Sequence, residues 1–150
     1  MKSLPVTLKL QGKRVLVAGG GAAALEKVVM LQRLCCPFTV IAEEICDEIL
    51  QSGCIVELRE LSQSDLEGVM VLYLCSSDRE ANRFLKLQAN VRGILVNTPD
   101  DPELCDFFTP AIFARCPMTV AVSSSGTDVK KAIDWRNKIE QLLTADGPDA

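Results

Sequence analysis

A chain of 150 residues with 48% hydrophobic side chains is long enough to bury a core of its own, which excludes disorder outside the ends. Its 16 basic and 20 acidic residues, net −4, give no basic excess for a nucleic-acid surface, and no apolar run approaches the ~18 residues that span a membrane. With no histidine present, Ser–His–Asp and Cys–His pairs and histidine metal sites are excluded, and any general base must be Asp, Glu, Lys, Tyr or Cys.

Along the chain, RVLVAG (14–19) is a short apolar run that stops at glycine, the pattern of a buried strand. ALEKVVMLQRL (24–34) carries Leu25, Val28, Val29, Leu31 and Leu34 close to helical spacing. FTVIA (38–42) predicts a second strand, EEICDEILQSG (43–53) a short amphipathic helix ended by Gly53, and CIVELRE (54–60) a third, alternating strand. VMVLYLCS (69–76) is continuously apolar, as a central strand would be. SDREANRFLKLQANVRG (77–93) opens with capping residues and keeps helical periodicity through Ala81, Phe84, Leu85 and Leu87, and ILVN (94–97) predicts a fifth strand.

After Asn97 the pattern changes. TPDDPELCDFFTPAIFARCP is rich in proline and has little periodicity. MTVAVSSSG (118–126) reads as one more strand and a polar turn, and TDVKKAIDWRNKIEQLL (127–143) as a helix with Val129, Ile133, Ile139 and Leu142 or Leu143 on its apolar side. The series β-α-β-α-β then β-α-β, with short connections, predicts an α/β fold. Its parallel sheet is doubly wound in the Rossmann manner, with helices on both faces and a strand–helix arm at the C-terminus.

The turn GGGAAALEK (19–27) joins the first strand to the first helix. Gly19, Gly21 and Ala24 match G-x-G-x-x-A: a tight turn, a close approach for a pyrophosphate, and close helix–strand packing. The N–H groups and dipole at the helix start favour phosphate charge. A second strand about 20 residues further on completes the context of a dinucleotide site. An acid after that strand would hold the adenine ribose. Glu43 and Glu44 are the candidates, one or two positions late. The alternative is that they are first-turn acids of the next helix, favoured by its dipole. An acid there without a neighbouring arginine favours NAD over NADP.

Three segments carry a resemblance: LPVTLKLQGKRVLVAGGGAAALEK (4–27), VNTPDDPELCDFFTPAIFARCPMTVAVSSSGT (96–127) and the helix end NKIEQLL. They are similar to the dehydrogenase domain of siroheme synthase, the precorrin-2 dehydrogenase/sirohydrochlorin ferrochelatase family. The V-N-x-x-D-D-P and F-x-x-P-A-I segments are specific to it. The resemblance covers nearly the whole chain and implies NAD-dependent oxidation of precorrin-2 to sirohydrochlorin. Asp100 takes the place of the catalytic aspartate. The nucleotide contacts fall on the glycine turn (Gly19, Gly20, Gly21, Ala22, Ala23), on Glu43 and Glu44, and on Ser76 of the SSD segment after the fourth strand. Asn97, Ser124 of the S-S-x-G turn and Arg115 are the substrate-side candidates. A homodimer built on residues ~105–145 follows by the same resemblance. It divides the chain into an NAD-binding domain, 1–104, and a dimerisation region with its helix, 105–150. Some members also insert iron. Two alternatives stand beside the dehydrogenase: a bifunctional dehydrogenase and ferrochelatase, and a non-catalytic nucleotide- or tetrapyrrole-binding protein.

The residues carry their own reading of these positions. With no histidine, a carboxylate is the natural proton acceptor, and an aspartate with an ordinary pKa near ~3.9 is ionised at neutral pH. Asp101 beside Asp100 would raise its basicity by like-charge repulsion. The alternative is that Asp100, Asp101 and Pro102 form only a loop turn. SSSGT (123–127) supplies hydroxyls and N–H groups for a substrate carboxylate, or is a plain helix cap; both roles are compatible. Arg115, Lys130 and Lys131 add positive charge nearby, and the lysines also read as a solvated face.

Against the family pattern, Glu26 replaces an arginine and sets a negative charge near the phosphate turn; Val129 replaces a proline. The further helical domain usual in the family is not expected within these 150 residues. The seven cysteines, an odd number with no C-x-x-C pair and no secretion signal, are expected to be reduced thiols in a cytoplasm, and no metal is expected. Cys105 and Cys116 read as small fillers rather than metal ligands.

Overall fold

The computed structural model describes residues 3–99 and 101–145. They divide into two units: residues 8–107, and residues 108–145 together with the N-terminal segment up to Thr7.

The larger unit is a five-stranded parallel sheet of order β3-β2-β1-β4-β5. Its strands are β1 (Arg14–Ala18), β2 (Thr39–Ala42), β3 (Ile55–Leu58), β4 (Val69–Leu74) and β5 (Leu95–Asn97). Alternation along β1 sorts the core onto two faces. Val15 and Val17 pack with Val40, Val71 and Tyr73 under α1 (Ala22–Arg33) and α2 (Asp47–Gln51), through Ala24, Val28, Leu31 and Ile49. Leu16 and Ala18 pack on the other face with Ile41, Leu72, Leu74 and Val96, beneath Ala89 of α3 (Arg79–Val91) and Leu66. Helices on both faces of a parallel sheet make the fold Rossmann-like and doubly wound, as the alternating series predicts.

Helix ends follow local chemistry. α1 closes with Cys35 in the left-handed region at φ 50°, where glycine is the usual residue. The Cys36 N–H donates to the Leu31 carbonyl at 3.0 Å and the Cys35 N–H to Gln32 at 2.9 Å, the paired bonds of a Schellman end. Burial pushes the Cys36 thiol pKa up. α3 is capped by Asp78, whose carboxylate accepts the N–H groups of Glu80 and Ala81 at 2.9 and 3.0 Å. The predicted helix over 43–53 is much shorter, beginning only at Asp47. The Cys46 N–H donates to the Gly20 carbonyl at 2.8 Å, and Cys46 itself is extended, which delays the helix to Asp47.

In the smaller unit the sequence predicts one strand, and the structure has two. β6 (Ala111–Arg115) and β7 (Met118–Val122) form an antiparallel hairpin that packs with α4 (Val129–Ala145). The arm is therefore hairpin–helix rather than strand–helix. The missed strand lies in the proline-rich stretch. AIFAR and MTVAV flank a two-residue Cys116–Pro117 turn, and that symmetry was the available signal. α4 is opened by Asp128, which accepts the Lys131 N–H at 2.9 Å.

Candidate functional site

In strand order β3-β2-β1-β4-β5 the chain reverses direction of progression between β1 and β4, so the crevice for a ligand opens at the carboxyl ends of these strands. The glycine turn lies there. Gly19 has φ 128°, and a Cβ on it would stand 2.7 Å from the Cys75 carbonyl, so only glycine fits against the end of β4. A Cβ on Gly20 would collide with the Glu44 carbonyl oxygen and the Ile45 Cα, so only glycine fits against the loop after β2. Gly21, by contrast, has open space on its Cβ side. It caps α1 without a side-chain bond, and no acid stands in the first turn. The first intrahelical bond runs from the Leu25 N–H to Gly21, so the N–H groups of Ala22 and Ala23 precede the helical ladder. This is an anion cradle. Glu26, expected to oppose it, sits beyond the first turn and is exposed.

Two loops flank the turn. On the β2 side, Glu43 and Glu44 are exposed in a bend before α2. They are not first-turn acids of that helix, whose first-turn acids are Asp47 and Glu48. Beside them the Arg59 N–H donates to the Ala42 carbonyl at 3.1 Å. The Arg59 guanidinium is held by Glu57 and Asp65, and hydrogen bonds to it hold the Asp65 carboxyl well below the usual carboxylate range. Those bonds, to Asp65 first and then Glu57, raise the pKa of Arg59 in turn.

On the β4 side, Ser76 Oγ accepts the Asp78 N–H at 3.1 Å. A cavity of about 240 Å³ lies between the ends of β4 and β5, lined by Cys75, Ser76, Arg79, Asn82, Thr98 and Pro99 among others. Asn97, at the end of β5, is buried and donates to the Phe107 carbonyl at 2.9 Å. Asp100 lies outside the described residues; Pro99 and Asp101 on either side of it both line the cavity.

The loop after β5 is tied down by groups the sequence did not single out for this. Cys105 Sγ accepts the Thr98 N–H at 3.2 Å and donates to the Thr98 carbonyl at 3.1 Å. Asp106 accepts both the Val96 N–H, at 2.9 Å, and the ammonium of buried Lys86. Cys105 is thus a hydrogen-bonding node of the loop and more than a filler. No spacing rule marks it, because its partners are backbone groups brought to it by the fold.

Gly19 to Ala23, Glu43, Glu44, Ser76 and Asn97 all belong to the larger unit and border one edge of its sheet. Ser124 and Arg115 belong to the smaller one. Ser124 Oγ accepts the Asp128 N–H at 2.9 Å, and Arg115 donates to the Leu143 carbonyl at 3.0 Å. Among the described residues no helix is long and apolar enough to cross a membrane.

Comparison with known proteins agrees with this geometry. Residues 6–111 match a family model described as "Putative NAD(P)-binding". The siroheme synthase of Ectopseudomonas mendocina is 40% identical over 147 residues, and siroheme synthase 1 of Cronobacter sakazakii 39% over 149; each alignment covers 97% of this chain and 32% of the relative. The chain thus spans about a third of the length of the curated relatives it matches. The solved structure of SirC, precorrin-2 dehydrogenase, superposes with a TM-score of 0.76 at 24% identity, covering 98% of this chain and 72% of that one, a likeness of fold. The chain belongs to the NAD(P)-binding family whose model spans its sheet, and is similar over nearly its whole length to part of the siroheme synthases.

Proposed function

We propose that the chain oxidises precorrin-2 to sirohydrochlorin with NAD as hydride acceptor, in the synthesis of siroheme or a related tetrapyrrole. The observation that carries the reading is the junction of three segments at one sheet edge: the glycine cradle, the acid-bearing bend after β2, and the VNTPDD loop after β5 beside the cavity. The cradle fits a dinucleotide, because its helix start lacks both a capping side chain and an acid while Gly21 leaves room for a pyrophosphate. Glu43 or Glu44 holds the adenine ribose. NAD is favoured over NADP because the cation beside the end of β2, Arg59, already has all its N–H groups bonded within the protein. Bound NAD supplies the hydride acceptor.

Asp100 takes the proton lost with that hydride, so one substrate C–H and one proton leave as NADH and H⁺. Its place between two cavity-lining residues, in a chain without histidine, supports this role. Asn97 shapes the loop from beneath through its bond to Phe107, and Ser124 and Arg115 serve the substrate carboxylates. Residues 1–104 form the NAD-binding domain and 105–150 the region that pairs two copies. The seven cysteines form no disulfide with one another, which suits a reducing cytoplasm.

The test supplies precorrin-2 and NAD and follows NADH absorbance. Turnover is expected in the wild type, with a loss of at least ~100-fold in Asp100→Asn. NAD binding without turnover would instead favour a non-catalytic carrier, and full activity in the variant would remove Asp100 from the mechanism.

A further inference from the structure

In the larger unit three buried side-chain atoms have no hydrogen-bond partner among the described residues: Asn82 Oδ1, Asn97 Oδ1 and Thr98 Oγ1. All three lie at the carboxyl ends of β4 and β5. Such atoms are rare in native interiors, and a cluster of them at a crevice calls for a ligand. Asn82 is 3% and Thr98 4% exposed, and both line the cavity between the two strand ends. Their other polar groups are engaged. Asn82 Nδ2 donates to the Ser76 carbonyl at 2.8 Å, which fixes which end of the amide is free. The Thr98 N–H and carbonyl are both bonded to Cys105 Sγ, leaving only the hydroxyl.

We propose that this cavity seats the nicotinamide ring, with Asn82 Oδ1 and Thr98 Oγ1 taking its carboxamide. The inference rests on a dinucleotide occupying the glycine turn, as argued above. Position decides which half of that dinucleotide arrives here. The turn is straddled: Gly20 abuts the loop after β2 that carries Glu43 and Glu44, and Gly19 abuts Cys75, which lines the cavity. A pyrophosphate on the turn therefore sends one nucleoside to the carboxylates and the other to the cavity. Carboxylates suit a ribose diol, so the adenosine half lies on the β2 side and the nicotinamide half on the β4 side.

Chemistry and size agree. A carboxamide brings two N–H donors and one acceptor; Asn82 Oδ1 can only accept, while a threonine hydroxyl does either. Leu74 and Leu104 give the ring an apolar wall. At about 240 Å³ the cavity falls below the ~300–1,000 Å³ of sites enclosing whole drug-sized ligands, so it suits one ring and cannot enclose a tetrapyrrole. A ring seated there lies against Pro99 and Asp101, the sequence neighbours of the proposed base.

The test titrates the whole chain by calorimetry with ADP-ribose, NAD and 3-acetylpyridine adenine dinucleotide, whose methyl ketone replaces the carboxamide. Thr98→Val removes the free hydroxyl at nearly constant shape. The variant is expected to bind ADP-ribose as the wild type does, to bind NAD about tenfold more weakly, and to melt no lower than the wild type. The wild type is expected to bind the acetylpyridine analogue about tenfold more weakly than NAD, because the methyl ketone offers Asn82 Oδ1 no N–H. Equal affinities for NAD and the analogue in the wild type, or equal losses of NAD and ADP-ribose in the variant, would overturn the seat while leaving the cofactor reading intact. Failure of the wild type to bind ADP-ribose would overturn both.

Discussion

Arg59 has no N–H group to offer a ligand. Nε bonds Glu57 at 2.9 Å; Nη1 bonds the Glu60 carbonyl at 3.0 Å and Asp65 at 2.7 Å; Nη2 bonds Glu57 at 2.5 Å and Asp65 at 2.7 Å. Asp65 also accepts the Ser62 N–H at 2.7 Å, closing a short capping box. Its carboxyl pKa is therefore lower in the folded chain than the ~3.9 of an unfolded aspartate. The sign follows by linkage. A depressed carboxyl pKa contributes stability that is fully present above ~3.9 and is lost as pH falls from there toward the folded value. Urea unfolding of Asp65→Asn should show about 1 kcal/mol less stability than the wild type at pH 7, with the gap closing toward pH 3; a gap that stays constant with pH would refute the assignment. This scale was only partly legible in the sequence. The spacing of Gly19, Gly21 and Ala24 reported a cradle because backbone sterics act locally. The saturation of Arg59 was not readable, because its acceptors come from a strand, a loop and a turn that only folding assembles.

At the scale of elements, the loop after β5 is where folding and the proposed chemistry meet. Asp106 closes it by pairing with the Val96 backbone in both directions, at 2.9 and 2.8 Å, and by neutralising Lys86 on α3. The Lys86 side chain is only 10% exposed, while that of Asp106 is 33% exposed. Breaking a fully buried pair costs about 3–5 kcal/mol; with one partner a third exposed, Asp106→Ala should cost about 2 kcal/mol in urea unfolding. Adding Lys86→Met should recover part of that loss by removing the stranded ammonium, and equal stability of Asp106→Ala and wild type would show that the pair is idle. Four of the five strands were legible as apolar runs because a two-sided sheet needs them so, and β3 as an alternating run. The start of α2 was not, because Glu43 and Glu44 read as helix-opening acids while the Cys46–Gly20 bond keeps the chain out of a helix until Asp47. β6 was hidden because its five residues, nearly all half-buried, stand between Pro110 and Pro117, a setting shared by loops.

For the whole molecule, the two units differ in how they are held together. The sheet unit carries two full core layers. In residues 108–145 the buried hydrophobic core reduces to Ala132, while Met118, Val129, Ile133, Trp135, Leu142 and Leu143 are exposed. A hairpin and a helix with so little buried surface are too small to be stable by themselves, and this many exposed apolar side chains mark an interaction surface. A second copy is the natural cover, because the proposed homodimer places this same region at the pairing surface and a stable interface buries about 1,600 Å² in total. Sedimentation at tens of micromolar should give a particle of twice the 16.3 kDa chain. Val129→Glu with Ile133→Glu, one turn apart on the same side of α4, puts like charges on that side and should shift the chain toward monomer, with loss of helical signal from α4. Binding of ADP-ribose should persist, because the cradle stands on a core that the substitutions do not touch. A wild type that sediments as a monomer would refute the pairing. A dimer that survives both charges would move it to another surface.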